Sequence, residues 1–154
     1  MDPLLHLREL GLALPPAPRP AGNYSATVLS GGWLYLSGQF PFRDGRLAYK
    51  GRVGAELTEQ DGYQAAKLAA LNVLAQIHAA LGGFDRLERL VRVEGHVAAA
   101  PGWVGAPQVL DGASNLLVQV LGPRGGHVRS AFTPASLPLN SPVELVVVAA
   151  VREP

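Results

Sequence analysis

The sequence predicts an α+β domain in which helices pack on one face of a mostly antiparallel sheet. Three observations predict it: paired glycines at 31–32 between two β-forming runs, a helical repeat over residues 59–81, and two strand-like runs near the end of the chain. At 154 residues the chain has the size of one domain with one hydrophobic core.

The first third of the chain predicts a short helix, a connector and a β-hairpin. Leucines recur every three residues over residues 3–12, which is typical of a short amphipathic helix. Four prolines within residues 14–22 predict an extended connector, because proline fixes φ and donates no backbone hydrogen bond. The runs 25–30 and 33–37 flank the paired glycines, which is a strong hairpin signal.

The clearest helix covers residues 59–81. Thr58 is placed to cap its N-terminus and Asp61 follows three residues later, so the two form an aspartate version of the capping box. Apolar residues then follow the helical period, and the glycine pair at 82–83 ends the helix.

The second half of the chain predicts a strand at 90–97, a helix from about 106 to 121, and strands at 127–133 and 142–151. The turn-rich stretch between the last two strands predicts that they fold back on each other. The final strand is apolar on both faces apart from Glu144. One face should therefore meet the helices, and an identical subunit is the simplest cover for the other.

Composition excludes several functional classes. The net charge is +1 and no run of Lys or Arg appears, which disfavours nucleic-acid binding. The chain has no cysteine, which excludes disulfides, thiol catalysis and thiolate metal sites. The N-terminal segment lacks an uninterrupted apolar core and no run reaches the length of a membrane span, so we expect a cytoplasmic protein.

The sequence predicts neither a metal site nor a bound cofactor. The histidines at 6, 78, 96 and 127 lack the paired spacing of metal ligands, so each is interpreted as a surface or strand histidine. The glycine-rich stretches lack the lysine and the strand–loop–helix context of a phosphate loop.

Arg129 and Glu144 are the only charged residues between His127 and Val151. The planar guanidinium of arginine can bind a carboxylate through two parallel hydrogen bonds. A glutamate shielded from water has a raised pKa and becomes a better proton donor or acceptor near neutrality. The pair therefore suggests a pocket for a carboxylate-bearing metabolite. The alternative is a structural ion pair between the two residues, or a position at an exposed edge for each.

Motifs in series resemble the RidA (YjgF) family of enamine and imine deaminases. PAGNYS at 20–25 resembles the Gly-x-Tyr-Ser element of that family, and LYLSGQFP at 34–41 resembles its strand motif ending in Ser-Gly-Gln-x-Pro. HVRSA at 127–131, with LP at 137–138 and PVEL at 142–145, resembles its C-terminal signature. The resemblance covers nearly all of the chain beyond about residue 17.

The resemblance implies a chorismate-mutase-like α+β domain with two helices on one face of a mostly antiparallel sheet. It also implies a homotrimer with ligand clefts between subunits. On this reading residues 1–16 form an N-terminal helix and proline-rich connector, and residues 17–154 form a single RidA-like domain.

The resemblance also assigns roles to five residues. Arg129 binds the substrate carboxylate, Glu144 positions the attacking water, and Tyr24, Ser37 and Gly38 line the pocket. The implied reaction hydrolyses a 2-imino acid such as 2-iminobutanoate, or one formed from 2-aminoacrylate, to a 2-oxo acid and ammonia. It needs no cofactor, because the imine carbon is already electrophilic and only positioning and proton transfer remain.

The chain departs from the family pattern at several points. Ala131 replaces a cysteine that is common two residues after the arginine, Asn23 stands where proline is common, and DGASN at 111–115 marks a divergent subgroup. Asn72, inside the long helix, is interpreted as structural. Two alternatives to deamination remain: a non-catalytic module that binds a small 2-oxo or amino acid in the same cleft, and the RNA cleavage or translation inhibition ascribed to some relatives.

Overall fold

The computed structural model describes residues 2–154 and has the predicted α+β architecture. In chain order its helices and strands are α1 (Pro3–Glu9), β1 (Thr27–Ser30), β2 (Trp33–Leu36), β3 (Phe42–Arg43), β4 (Arg46–Leu47), α2 (Glu59–Leu81), β5 (Leu87–Val97), α3 (Ala106–Leu121), β6 (Val128–Phe132) and β7 (Val143–Val151). Five strands form one sheet in the order β1-β2-β7-β5-β6, and β3 and β4 form a separate hairpin. All neighbours in the large sheet are antiparallel except β5 and β6.

The prediction that the last two strands pair with each other is wrong. The long strand β5 lies between them: it pairs in parallel with β6 on one edge and antiparallel with β7 on the other. Helix α3 returns the chain to the edge of β5 in the same direction, as a parallel pair requires. The turn-rich stretch after β6 then carries the chain across β5 instead of closing a hairpin.

Helix α2 begins and ends as predicted. The Thr58 hydroxyl accepts a hydrogen bond from the Asp61 backbone (3.0 Å), and the Asp61 carboxylate accepts one from the Thr58 backbone (2.9 Å). Gly82 ends the helix with a φ of 69°, a left-handed conformation that glycine adopts without a steric penalty. None of the helices within residues 2–154 has the length and hydropathy needed to cross a membrane.

Helices α2 and α3 approach each other closely on the core face of the sheet. Gly112 of α3 lies against the backbone of Tyr63 in α2, and a Cβ at this position would overlap the Tyr63 carbonyl oxygen. A larger residue at 112 would push the helices apart.

Helix α1 packs on the outside of α3. Leu7 is 1% exposed and belongs to the main core, and the ring of His6 bonds the Val120 carbonyl oxygen at 2.8 Å. These contacts join the N-terminal helix to the core. The division of the chain at residue 17 stays a prediction.

The sheet face turned away from the helices, called here the open face, carries many apolar side chains. Along β7, buried residues alternate with partly exposed ones, as expected of a strand with two apolar faces. Large side chains on the neighbouring strands are between 43% and 56% exposed: Val28, Trp33, Tyr35, Val128 and Phe132. Coverage of this face by an identical subunit stays a prediction.

Candidate functional site

Four of the five predicted site residues converge just beyond the end of β2. Tyr24, Ser37 and Gly38 line one small cavity. The side chain of Glu144 lies against Gly38, so closely that a Cβ on residue 38 would overlap the Glu144 carboxylate. Glycine at 38 is therefore what allows the carboxylate to occupy this position.

Backbone pairing beyond β2 produces this convergence. Gln39 and Leu145 exchange two backbone hydrogen bonds, of 2.8 and 2.9 Å, so residues 38 and 144, one position before each of them, lie on the same face of the paired strands. The hydroxyl of Ser37 donates to the Ala26 carbonyl oxygen at 3.0 Å, so its proton is already engaged. The hydroxyl of Tyr24 accepts from the Ala21 backbone at 3.0 Å.

Two buried amides on α2 fix the segment that follows β2. Asn72 Nδ2 donates to the carbonyl oxygens of Phe40 (2.8 Å) and Phe42 (3.0 Å). Gln76 Nε2 donates to the Pro18 carbonyl oxygen at 2.7 Å, and this bond holds the proline-rich connector against α2. The structural interpretation of Asn72 agrees with these contacts.

The electrostatic setting of Glu144 suits proton transfer. The side chain is half-buried, and this burial raises the pKa of Glu144 above its ordinary value because the charged form is poorly solvated. The nearby His96 opposes that shift and lowers the pKa of Glu144. Burial is the larger effect, so the carboxyl group stays protonated to a higher pH than an exposed glutamate does.

His96 and Glu94 are neighbours of Glu144 that sequence reasoning missed. His96 lies opposite Glu144 in the β5–β7 pairing. Its Nε2 is 2.9 Å from the Glu94 carboxylate, and its ring stacks on Phe132 with a centroid distance of 5.2 Å. The sequence feature that could have identified them is the alternation of charged residues along β5. This alternation places both side chains on the open face with Glu144.

Arg129 lies on the opposite face of the sheet from Glu144. It is in register with the buried Val93 and points toward α3. Its guanidinium forms an ion pair with Asp111 at 2.9 Å. The alternative of an Arg129–Glu144 ion pair is therefore wrong, because the two side chains point away from each other.

Helix α3 fixes the guanidinium and leaves part of it free. Nη1 donates to Asp111 and to Ser114 Oγ (3.0 Å), and Nη2 donates to the Pro107 carbonyl oxygen (3.2 Å). An arginine has five N–H donors. Within residues 2–154 the side chain makes these three hydrogen bonds, which leaves Nε–H and one N–H of Nη2. A bidentate carboxylate needs two donors, and two N–H groups of this side chain have no partner within the described part of the subunit.

Ser114 links Arg129 to His127. The Ser114 hydroxyl is 2.9 Å from His127 Nε2, and His127 Nδ1 is 2.7 Å from the Gly125 carbonyl oxygen. A carbonyl only accepts, so Nδ1 of the neutral ring carries the proton and Nε2 accepts from Ser114. The stretch 111–115 is distinctive in the sequence, but its pattern does not predict that Asp111 and Ser114 hold the arginine.

Comparison with known proteins identifies the family. Residues 5–151 match the family described as "YjgF/chorismate mutase-like, putative endoribonuclease". The chain belongs to this family. Among curated proteins, TCP17 of Trypanosoma cruzi is 40% identical to it over 141 residues, which cover 91% of this chain and 88% of TCP17.

Solved structures of YjgF-family proteins agree with the fold. The protein Atu1372 of Agrobacterium tumefaciens, whose function is given as unknown, is 38% identical with a TM-score of 0.91, covering 99% of this chain and 93% of its own. A protein of Shewanella oneidensis described as a "putative endoribonuclease" is 37% identical with a TM-score of 0.95, covering 98% and 100%.

A RidA from an Antarctic Psychrobacter shares the fold at greater distance. It is 23% identical with a TM-score of 0.61, covering 88% of this chain and 94% of its own. The two structures above are much closer to this chain in both measures. This difference agrees with a subgroup that has diverged from RidA within the family.

Proposed function

We propose that the protein hydrolyses reactive 2-enamine and 2-imino acids of the 2-aminoacrylate type to 2-oxo acids and ammonia. The observation that carries the proposal is the Glu144 carboxylate, half-buried against Gly38 and with a raised pKa, at the end of a sheet where Tyr24 and Ser37 line a cavity. The motifs that resemble those of the RidA deaminases, in a chain that belongs to the YjgF family, support the same proposal.

In the proposed reaction Glu144 accepts a proton from the attacking water molecule and later donates it. The carboxylate accepts that proton while the water oxygen bonds to C2 of the imine, and the C=N π electrons move to nitrogen. The protonated Glu144 then returns the proton to the nitrogen of the tetrahedral intermediate. Glu144 then transfers the proton of the C2 hydroxyl to that nitrogen, the C–N bond breaks with its electron pair on nitrogen, and the C2 hydroxyl becomes a carbonyl, which releases ammonia and the 2-oxo acid.

Arg129 is proposed to bind the substrate carboxylate through its two unused donors. It lies on the other face of the sheet from Glu144 in its own subunit, so the Arg129 of one copy would complete the Glu144 site of another. We therefore propose a homotrimer with a cleft between neighbouring subunits. The exposed apolar side chains of the open face support an assembly that buries them.

The proposal is tested by measuring ammonia release from 2-aminoacrylate generated in place by a separate lyase. The native protein should release ammonia faster than the spontaneous reaction, and Arg129→Ala should lose that acceleration. Arg46→Ala, which removes an exposed arginine from the β3–β4 hairpin, is the matched control and should retain it.

Two outcomes contradict the proposal. A native rate equal to the rate without protein would exclude deamination of this substrate class. If 2-oxobutyrate also bound under those conditions in an Arg129-dependent manner, the result would favour the non-catalytic binding module.

A further inference from the structure

A second cavity, of about 660 Å³, adjoins the small cavity of the candidate site and shares Pro18, Arg19 and Phe42 with it. It opens between the proline-rich connector, the β3–β4 hairpin and helix α2. A volume of a few hundred Å³ is typical of sites for small ligands. Neither Arg129 nor Glu144 contributes to its walls.

The walls of this cavity are apolar and its charged residues carry both signs. The apolar part consists of connector residues between Ala13 and Pro18, Phe42 of the hairpin, and Leu68 and Leu71 of α2. The charged residues are Arg19, Arg43 and Asp44. Such a lining matches a ligand with an apolar body and two opposite charges better than a simple anion or cation.

The turn of the β3–β4 hairpin presents two of these charges. Arg43 and Arg46 pair across the hairpin, and the turn residues Asp44 and Gly45 have φ angles of 53° and 76°. Two positive φ values in a two-residue loop define a tight hairpin turn in which Asp and Asn are both tolerated. The turn therefore fixes the backbone of Asp44 beside the cavity.

Asn72 lines the cavity and is almost completely buried. Both of its Nδ2 hydrogen bonds go to carbonyl oxygens, which only accept, so the amide orientation is fixed. Within residues 2–154 no hydrogen bond reaches Oδ1, and the side chain is 1% exposed. Every fully buried side-chain nitrogen or oxygen atom within residues 2–154 has a partner, so Oδ1 keeps a small exposed area, and Asn72 is one of the residues that line the cavity.

We propose that this cavity binds an apolar 2-amino acid as its zwitterion. Arg19 and Arg43 would bind the carboxylate, and Asp44 together with Asn72 Oδ1 would accept hydrogen bonds from the ammonium group. The proline and leucine walls would bury the apolar side chain. A carboxylic acid without the ammonium offers no donor to Asp44 or Asn72 Oδ1, and an amine without the carboxylate offers no acceptor to the two guanidinium groups.

Isothermal titration calorimetry with three ligands of one shape tests this assignment. L-leucine carries both charges, 4-methylpentanoate lacks the ammonium, and 3-methylbutylamine lacks the carboxylate. L-leucine should bind with a saturable 1:1 stoichiometry per chain. Each of the other two should bind at least about fivefold more weakly, because an unpaired buried polar group costs about 1–3 kcal/mol.

Substitutions in the β3–β4 hairpin and in the proline-rich connector test where L-leucine binds. Arg43→Ala should weaken L-leucine binding about two- to fivefold, the range for an exposed ion pair. Asp44→Asn should weaken L-leucine without weakening 4-methylpentanoate. Ala17→Trp fills the cavity and should abolish binding. Arg46→Ala, the cross-strand partner that lies outside the cavity, should leave binding unchanged.

Arg129→Ala separates this site from the proposed active site. Binding of L-leucine should survive this substitution even though deaminase activity does not. L-leucine binding that is lost in Arg129→Ala but kept in Ala17→Trp would overturn the proposal, and so would the absence of saturable binding. Neither result bears on ammonia release from 2-aminoacrylate, so the two proposals fail independently.

Discussion

Glu144 is the residue on which the proposed chemistry depends most. It acts as a base only when deprotonated, and burial raises its pKa. The rate should therefore increase with pH on the acid side and level off once pH exceeds the raised pKa. Glu144→Gln should lower kcat by about 10²- to 10⁴-fold, the usual contribution of a positioned acid–base group, and should remove this acid limb. Steady-state kinetics across pH measures both effects.

His96 provides the matched comparison for that profile. Its charge lowers the pKa of Glu144, so His96→Asn should move the acid limb of the native profile to higher pH. A limb that keeps its position in His96→Asn, or that survives in Glu144→Gln, would show that another group titrates.

Asp111 is predicted to position Arg129 for its ligand. Asp111→Asn keeps the size of the side chain but removes the charge at 2.9 Å from the guanidinium. The remaining bonds to Ser114 and Pro107 hold the arginine less firmly. KM should rise about two- to fivefold, in line with the loss of a partly exposed ion pair, while kcat changes little. A fall in KM would show instead that Asp111 competes with the substrate for Arg129.

At the scale of residues, the sequence predicted the participants better than their contacts. Short motifs marked Tyr24, Ser37, Gly38 and Glu144, and the structure brings these four together. The Asp111–Arg129 ion pair joins residues 18 positions apart on different elements. No local pattern specifies such a contact, because it depends on how α3 packs against β6.

At the scale of elements, β5 organises the sheet. It pairs with β6 along one edge and with β7 along the other. The registers of these two pairings place Arg129 beside Val93 and Glu144 beside His96, on opposite faces of the sheet. Helical periodicity and capping predicted α2 and its limits because those signals are local. Strand pairing is not local: the runs that form β6 and β7 are equally compatible with a hairpin, and in the structure β5 lies between them.

The close approach of α2 and α3 gives a prediction for stability. Gly112→Ala should destabilise the fold by about 1–3 kcal/mol or more, because the added methyl group meets the rigid backbone of Tyr63 and not a movable side chain. Urea denaturation measures the change in the free energy of unfolding. Val118→Ala on the exposed side of the same helix is the control and should change it little. Equal effects of the two substitutions would contradict the close-packing account.

At the scale of the whole molecule, the proposed site is incomplete in one chain. Arg129 points toward α3 and Glu144 lies on the open face, so a single copy does not present both to one substrate. Exposed apolar side chains on the open face offer the surface on which copies would associate. The proposed activity therefore requires an assembly, and the assembly can be tested through the activity.

Subunit mixing tests this account most directly. Arg129→Ala and Glu144→Gln should each be inactive alone in the 2-aminoacrylate assay. Refolding the two together at equal amounts should restore about a quarter of the native rate per chain, because random association in a symmetric ring gives that share of clefts both native residues. A mixture as inactive as its components, although native mass spectrometry shows mixed trimers, would contradict a cleft shared between subunits.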